Sequence, residues 1–244
     1  MRKLIIDKSL IERHTPPAHR QLPADTKVAH VDAFEADWSS SSDTVFNFLL
    51  FQCYVDFTSL RVLTLHGPLC DGPVTLLLHV PLALEELKYH ATGSSPSIGT
   101  CTNLRIVTPV GKLLIEHDGP SEWLDIIRDL HAVPAPKVRD VGIVLRVYED
   151  PYWVRQGHVT PADVPFEHLR RSLADQDWAR LAACLPRFTA LQTFRLEMGL
   201  HSFSRYDGRL SDDVPRCIRI MREVVAESPP QVIVAVTKVD AFTR

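Results

Sequence analysis

No pair of cysteines in this chain has C-x-x-C spacing, and the five that occur, Cys53, Cys70, Cys101, Cys184 and Cys217, are scattered and odd in number. That excludes a disulfide framework and a structural zinc site of the usual kind, and it fits a reducing compartment. No apolar run approaches the roughly 18 residues of a membrane span. After Met1, Arg2 and Lys3 only Leu4, Ile5 and Ile6 intervene before Asp7, too few for a signal-peptide core. The cytosol or nucleus is therefore the expected location. Excess charge of either sign is also missing: 27 basic and 30 acidic side chains leave about −3. Such a balance offers nothing broad to nucleic acid or an anionic membrane, and neither is an expected partner.

Catalytic signatures are absent too. There is no G-x-S-x-G elbow for acyl transfer, no H-E-x-x-H for zinc hydrolysis and no G-x-x-x-x-G-K-[ST] loop for nucleotide phosphates. The expectation is a chain that is not an enzyme and needs no cofactor. What remains is ordinary for a globular protein: 244 residues, 45% hydrophobic and 23% charged, enough for one large domain or two small ones.

The organising stretch is 60–68, LRVLTLHGP, with strand-like alternation at Leu60, Leu63 and Leu65 ended by Gly67-Pro68. The same wording recurs at Leu84/Leu87/Tyr89, Leu104/Val107/Pro109, Val138/Val141/Ile143, Leu191/Phe194/Leu196 and, most loosely, Pro229/Val232/Val234. Side chains of a strand alternate between faces, so the last two positions of each copy point to one shared core. One copy cannot bury that face; a stack of them can.

Between the copies the spacing turns helical. Trp123, Ile126, Ile127 and Leu130 follow Ser121 and Glu122, which predicts an N-cap and an acidic first turn. Trp178, Leu181, Ala182 and Leu185 follow Asp175 and Asp177 and stop at Pro186. Val214, Cys217, Ile218, Met221, Val224 and Val225 follow Ser211, Asp212 and Asp213 and stop at Pro229-Pro230. Earlier in the chain, a weak strand is expected at Val28, Val31 and Ala33, a proline-rich loop over 13–26, a serine link over 39–43 and a buried helix over 45–55. Strand and helix in alternation predict an α/β fold, with a mostly parallel curved sheet and helices on its outer face.

The phrases FTSLRVLTLHG, LALEELKYHATG, CTNLRIVTP and LPRFTALQTFRLEMG resemble the irregular leucine-rich repeats that lie C-terminal to the F-box in fungal F-box-like proteins. The resemblance implies a leucine-rich-repeat-like solenoid over 45–240. Residues 1–44 then form an N-terminal segment, partly loop, with room for a first degenerate repeat, and 241–244 a tail. It further implies a protein-recognition scaffold related to the substrate receptors of ubiquitin ligases, with a protein as partner. Two departures limit it. The family's Asn or Cys position holds Pro68, Thr92, Lys112, Arg146, Gly199 and Thr237, so no asparagine ladder can form. Repeat starts at 60, 84, 104, 138, 191 and 229 leave gaps of 24, 20, 34, 53 and 38 residues, and no N-terminal F-box is found.

In this register the side of the strands away from the core shows Thr64, Lys88, Thr108, Gly142, Arg195 and Ile233 in one column, with His66, His90, Val110, Val144, Glu197 and Ala235 beside it. Thr64, His66, Lys88, His90, Arg195 and Glu197 are the candidate partner-binding residues; a solvated sheet face is the plainer reading of the same positions. His66 and His90 on neighbouring strands, with Cys70 and Asp71 near, lack the ligand set of a metal site. Tyr152 and Trp153, in a loop leaving the 138–147 segment, are either a binding hot spot or an internal cap. Residues 232–240, VIVAVTKVD, resemble the guanine-specificity motif of GTPases through Thr237, Lys238 and Asp240, but without a phosphate loop. Arg170, Arg171, Arg180 and Arg187 are expected on outer helix faces. Two further readings stand beside the scaffold: a structural module of a longer protein, and a GTP-binding fragment.

Overall fold

The computed structural model describes residues 3–6, 29–36, 55–68, 77, 82–91, 96–115, 122–148, 164–201, 209–225 and 232–239. Its strands are β1 (Lys3–Ile6), β2 (Ala29–His30), β3 (Ala33–Ala36), β4 (Val55–Asp56), β5 (Val62–Pro68), β6 (Glu86–His90), β7 (Ile106–Leu114), β8 (Asp140–Tyr148), β9 (Thr193–His201) and β10 (Val232–Val239). The helices are α1 (Trp123–Ala132), α2 (Val164–Ala174), α3 (Trp178–Cys184), α4 (Arg209–Asp212) and α5 (Val214–Val225).

The repeated wording begins in a turn. Leu60 N donates to the Phe57 carbonyl at 2.9 Å, Leu104 N to Cys101 at 3.3 Å, Val138 N to Ala135 at 3.4 Å and Leu191 N to Phe188 at 2.9 Å. Each turn buries its closing apolar residue or leaves it half-buried, and launches a strand immediately after it. The carbonyl of the next residue then accepts two N–H groups from the following strand. Arg61 O takes Glu85 N and Glu86 N, Glu85 O takes Arg105 N and Ile106 N, Arg105 O takes Arg139 N and Asp140 N, and Arg139 O takes Gln192 N and Thr193 N, all within 2.7–3.1 Å.

The result is an eight-stranded open sheet in the order β1-β3-β5-β6-β7-β8-β9-β10, with every pairing parallel. Strands adjacent in this sheet are consecutive along the chain, apart from β2 and β4, which pair with each other. Leu63, Leu87, Val107, Val141, Phe194 and Val232 fall opposite one another, as the alternation predicts. β1 and β3 extend the row through Leu4 and Phe34, so residues of the N-terminal segment belong to the same sheet. Pro109 marks an irregularity: the β7–β8 ladder pairs Val107 with Val141 and then Val110 with Val144, passing over Thr108 and Pro109, the latter with no hydrogen to donate. A second lies in β5, where the register shifts between Thr64 and Pro68.

One face of the sheet is the core. Leu63, Leu65, Leu87, Tyr89, Val107, Val141, Ile143, Leu196 and Met198 are buried against Trp123, Ile126, Ile127 and Leu130 of α1, Leu169 and Leu173 of α2, Leu181 of α3 and Cys217 and Met221 of α5. Fully burying one leucine contributes about 1.5–3 kcal/mol, and a face of them holds the helices to the strands. Gly111 lies where α1 crosses β7, and a Cβ there would stand 2.7 Å from Ile126 Cδ1, so that side-chain end would have to shift to admit one. Trp123 and Trp178 pack with ring centroids 4.6 Å apart and join α1 to α3.

Several sequence expectations shift. Asp177 and Asp213 cap α3 and α5, accepting from Arg180 N at 2.9 Å and Arg216 N at 3.1 Å. Glu122 occupies the N-cap position of α1 but makes no cap bond, its carboxylate being engaged elsewhere. Val55, expected in a helix, lies in β4, while 45–54 and the loops 13–26 and 39–43 lie outside the described residues. Pro165 sits at the start of α2, where its missing N–H costs nothing. No described helix is long and apolar enough to cross a membrane.

The alternation is testable at single positions. Leu87→Ala should lose about 2–5 kcal/mol of stability in urea denaturation, while Thr108→Ala on the facing side of the next strand should stay within roughly 0.5 kcal/mol. Equal losses at the two positions would contradict the assignment of faces.

Candidate functional site

The sheet face opposite the helices carries the sequence-predicted column. Thr64 pairs with Lys88, Lys88 with Thr108, Gly142 with Arg195 and Arg195 with Ile233. Thr108 and Gly142 are neighbours on this face, since a Cβ on Gly142 would stand 3.1 Å from Thr108 Oγ1. Thr64 and Lys88 are half-buried and Arg195 is exposed. Among the described residues neither the Lys88 nor the Arg195 side chain has a hydrogen-bond or ion-pair partner.

The second column divides. His90, Val110, Val144, Glu197 and Ala235 follow one register, but the shift in β5 places Pro68, not His66, opposite His90. The two histidines therefore do not form the neighbouring pair expected. His66 Nε2 lies 2.9 Å from Glu35 Oε1, and Lys3 Nζ lies 2.6 Å from Glu35 Oε2, a chain of three charged or polar groups across β5, β3 and β1. Lys3 first and His66 second hold the Glu35 carboxyl below the usual carboxylate range.

His90 is not on an open surface. It is 6% exposed, with Nε2 at 2.8 Å from Glu122 Oε2, close enough for an ionic contact although off the angle of a well-formed hydrogen bond. Glu122 also accepts from Lys112 N at 2.6 Å. Its carboxyl is pulled two ways: burial raises its pKa, and His90 and Lys112 more than offset that, leaving it lowered. Glu122 thus ties the start of α1 to the ends of β6 and β7, which removes His90 from the partner-binding set as a contact residue. Beneath it, the buried Tyr89 hydroxyl lies within the influence of the Asp129 carboxyl of α1 without a full hydrogen bond, and burial above all pushes its pKa well up.

At the other end of the strands, Asp32, Arg61, Val62, Glu85, Glu86, Arg105 and Ile106 line an open concavity of about 460 Å³. Within it Arg61 Nη2 reaches Glu85 Oε2 at 2.7 Å. Arg61 is the main cause of a lowered Glu85 pKa. These residues escaped the sequence reading, although a charged residue stands at the same place, Arg61, Glu85, Arg105 and Arg139, in four of the six repeats.

Burial pushes the Cys101 thiol up to about 11 and raises Cys184 as well, so neither is a thiolate at neutral pH. Among the described residues no group of three His, Cys, Asp or Glu is placed to hold a metal. Thr237 and Lys238 lie in β10 opposite Gly199 and Leu200, while Asp240, Cys70, Asp71, Tyr152 and Trp153 lie outside the described residues. Of the expected outer-face arginines, Arg170 pairs with Glu223 at 2.7 Å and Arg187 donates to His131 O at 2.7 Å. Comparison with known protein families, with curated proteins and with solved structures finds no match.

A depressed carboxyl pKa in the fold contributes stability that is present above the unfolded value, roughly 4.3, and is lost as pH falls through the lower folded value. Glu122→Gln and Glu35→Gln should therefore each flatten the loss of stability on acidification below that point, measured by urea denaturation across the acid range. An unchanged acid limb in both variants would remove these pairs from the account.

Proposed function

We propose that this chain is a non-enzymatic protein-recognition scaffold of irregular leucine-rich-repeat-like solenoid form, related to the substrate receptors of F-box type and working in the cytosol or nucleus. The observation that carries the reading is the division of labour between the two faces of a sheet laid down in chain order. One face is committed to the core; the other presents Lys88 and Arg195 in one row, uncommitted among the described residues.

Curvature supports the solenoid form. Arg146 of β8 places Nη1 3.5 Å from the His66 carbonyl of β5, across two intervening strands. In a flat sheet three strand spacings measure about 14 Å, beyond the reach of an arginine side chain. The bulge in β5 and a concave face together close that gap. Concave faces of solenoids are extended binding surfaces. The aligned Lys112, Arg146, Gly199 and Thr237 occupy the row where the family carries asparagine, so packing and ionic contacts replace an amide ladder.

A second reading, a structural module of a longer protein, is favoured by the edge strand β1, where Ile5 is 56% exposed. The two readings separate experimentally. Affinity capture from the protein's own cells should recover a partner that the double variant Lys88→Glu/Arg195→Glu loses by about tenfold or more while its unfolding transition is unchanged. Full retention by a well-folded double variant would remove this face from recognition.

A further inference from the structure

The uncommitted row has a definite shape. Lys88 on β6 and Arg195 on β9 stand three strands apart, about 14 Å in a flat sheet and less at the tips on a concave one. Between them lie only Thr108 and Gly142, a hydroxyl and a bare backbone. Gly142 cannot gain a methyl without pressing on Thr108 at 3.1 Å, so the floor between the two cations stays low. The row is a shallow trough running across the strands with a cation at each end.

Charges in the flanking rows narrow the occupant. Toward the strand starts lie Glu86 and Asp140, two positions before Lys88 and Gly142; toward the ends lie Glu197, Lys112 and Arg146. A continuous polyanion laid on this face would meet the Glu86, Asp140 and Glu197 carboxylates as well as the cations. A ligand with two separated negative charges can set one on each cation and leave the uncharged middle of the row, Thr108 and Gly142, to a neutral group. An extended peptide advances about 3.3 Å per residue and turns alternate side chains to the same side, so residues i and i+4 span about 13 Å facing one way. Residue i+2 then faces Thr108 and Gly142, where only a small or hydrogen-bonding side chain fits.

Building on the recognition reading, we infer that this trough binds an extended acidic peptide segment with carboxylates at i and i+4 and a small residue at i+2. One acid pairs with Lys88, the other with Arg195, and the middle residue lies over Gly142 beside the Thr108 hydroxyl. The end charges specify spacing, and the low floor specifies size.

The test is selection of a displayed random-peptide library on the full chain, followed by fluorescence anisotropy with synthetic acid-x-Ser-x-acid peptides. Expected is enrichment of acids four residues apart, about tenfold weaker binding for peptides with acids two apart or with Leu at i+2, and about tenfold loss with either Lys88→Glu or Arg195→Glu. A peptide carrying Lys in place of one acid should recover binding to the matching charge-reversed variant, which misfolding of the variant would not allow. Selected peptides without the acidic pair, or binding indifferent to Lys88 and Arg195, would overturn the inference while leaving protein recognition standing. A single-stranded oligonucleotide binding there more tightly than any peptide, with the same dependence on Lys88 and Arg195, would overturn it in favour of nucleic acid. Failure to select any peptide, together with capture of no partner from cells, would overturn both this inference and the recognition reading.

Discussion

A column of shared carbonyls sets the register on which everything else in this protein depends. Asp32, Arg61, Glu85, Arg105 and Arg139 each offer one main-chain oxygen to two successive N–H groups of the next strand, at 2.7–3.1 Å. A shift of one residue would send every side chain of a strand to the wrong face. The doubled acceptor recurs at successive strand entrances although 20 to 53 residues separate the first donor from the acceptor, so it fixes each strand against its predecessor whatever the length of chain between them.

From that register come two unequal faces. The inward one is closed by α1, α2, α3 and α5, and Ile126 of α1 packs closely over Gly111 of β7. On the other, side chains settle into a few ionic ties and leave the rest available. Glu122 joins β6, β7 and α1 through His90 and Lys112 N, and Glu35 joins β1, β3 and β5 through Lys3 and His66. Both carboxylates sit where strands of unequal length end or begin, places where backbone pairing runs out and a side chain takes over. The row from Lys88 to Arg195 runs from β6 to β9, and neither end is engaged by these two ties.

Much of this is legible in the sequence. Leu63, Leu87, Val107, Val141 and Phe194 were placeable because alternation and a preceding turn act within ten residues. The helices around Trp123, Trp178 and Cys217 followed from their apolar stripes and acidic starts. What could not be read depended on partners far along the chain. His90 had the spacing of an exposed position and was buried by Glu122, which itself looked like a helix cap. His66 was displaced from His90 by a bulge that only the Gly67-Pro68 ending hinted at. Asp129 stands on the apolar stripe of α1 and is 1% exposed, a cue that went unused although an acid on a buried helix face calls for a core partner.

Amide hydrogen exchange read residue by residue tests the register most directly. The N–H groups of Glu85, Arg105, Arg139 and Gln192 belong to residues with half-buried or exposed side chains in the approach to each strand, yet each donates to a carbonyl of the preceding repeat. The account predicts protection at all four comparable to that of the core strand residues Leu87, Val107 and Val141. Exchange at these four amides as fast as in an unfolded chain, with the strand interiors still protected, would contradict it.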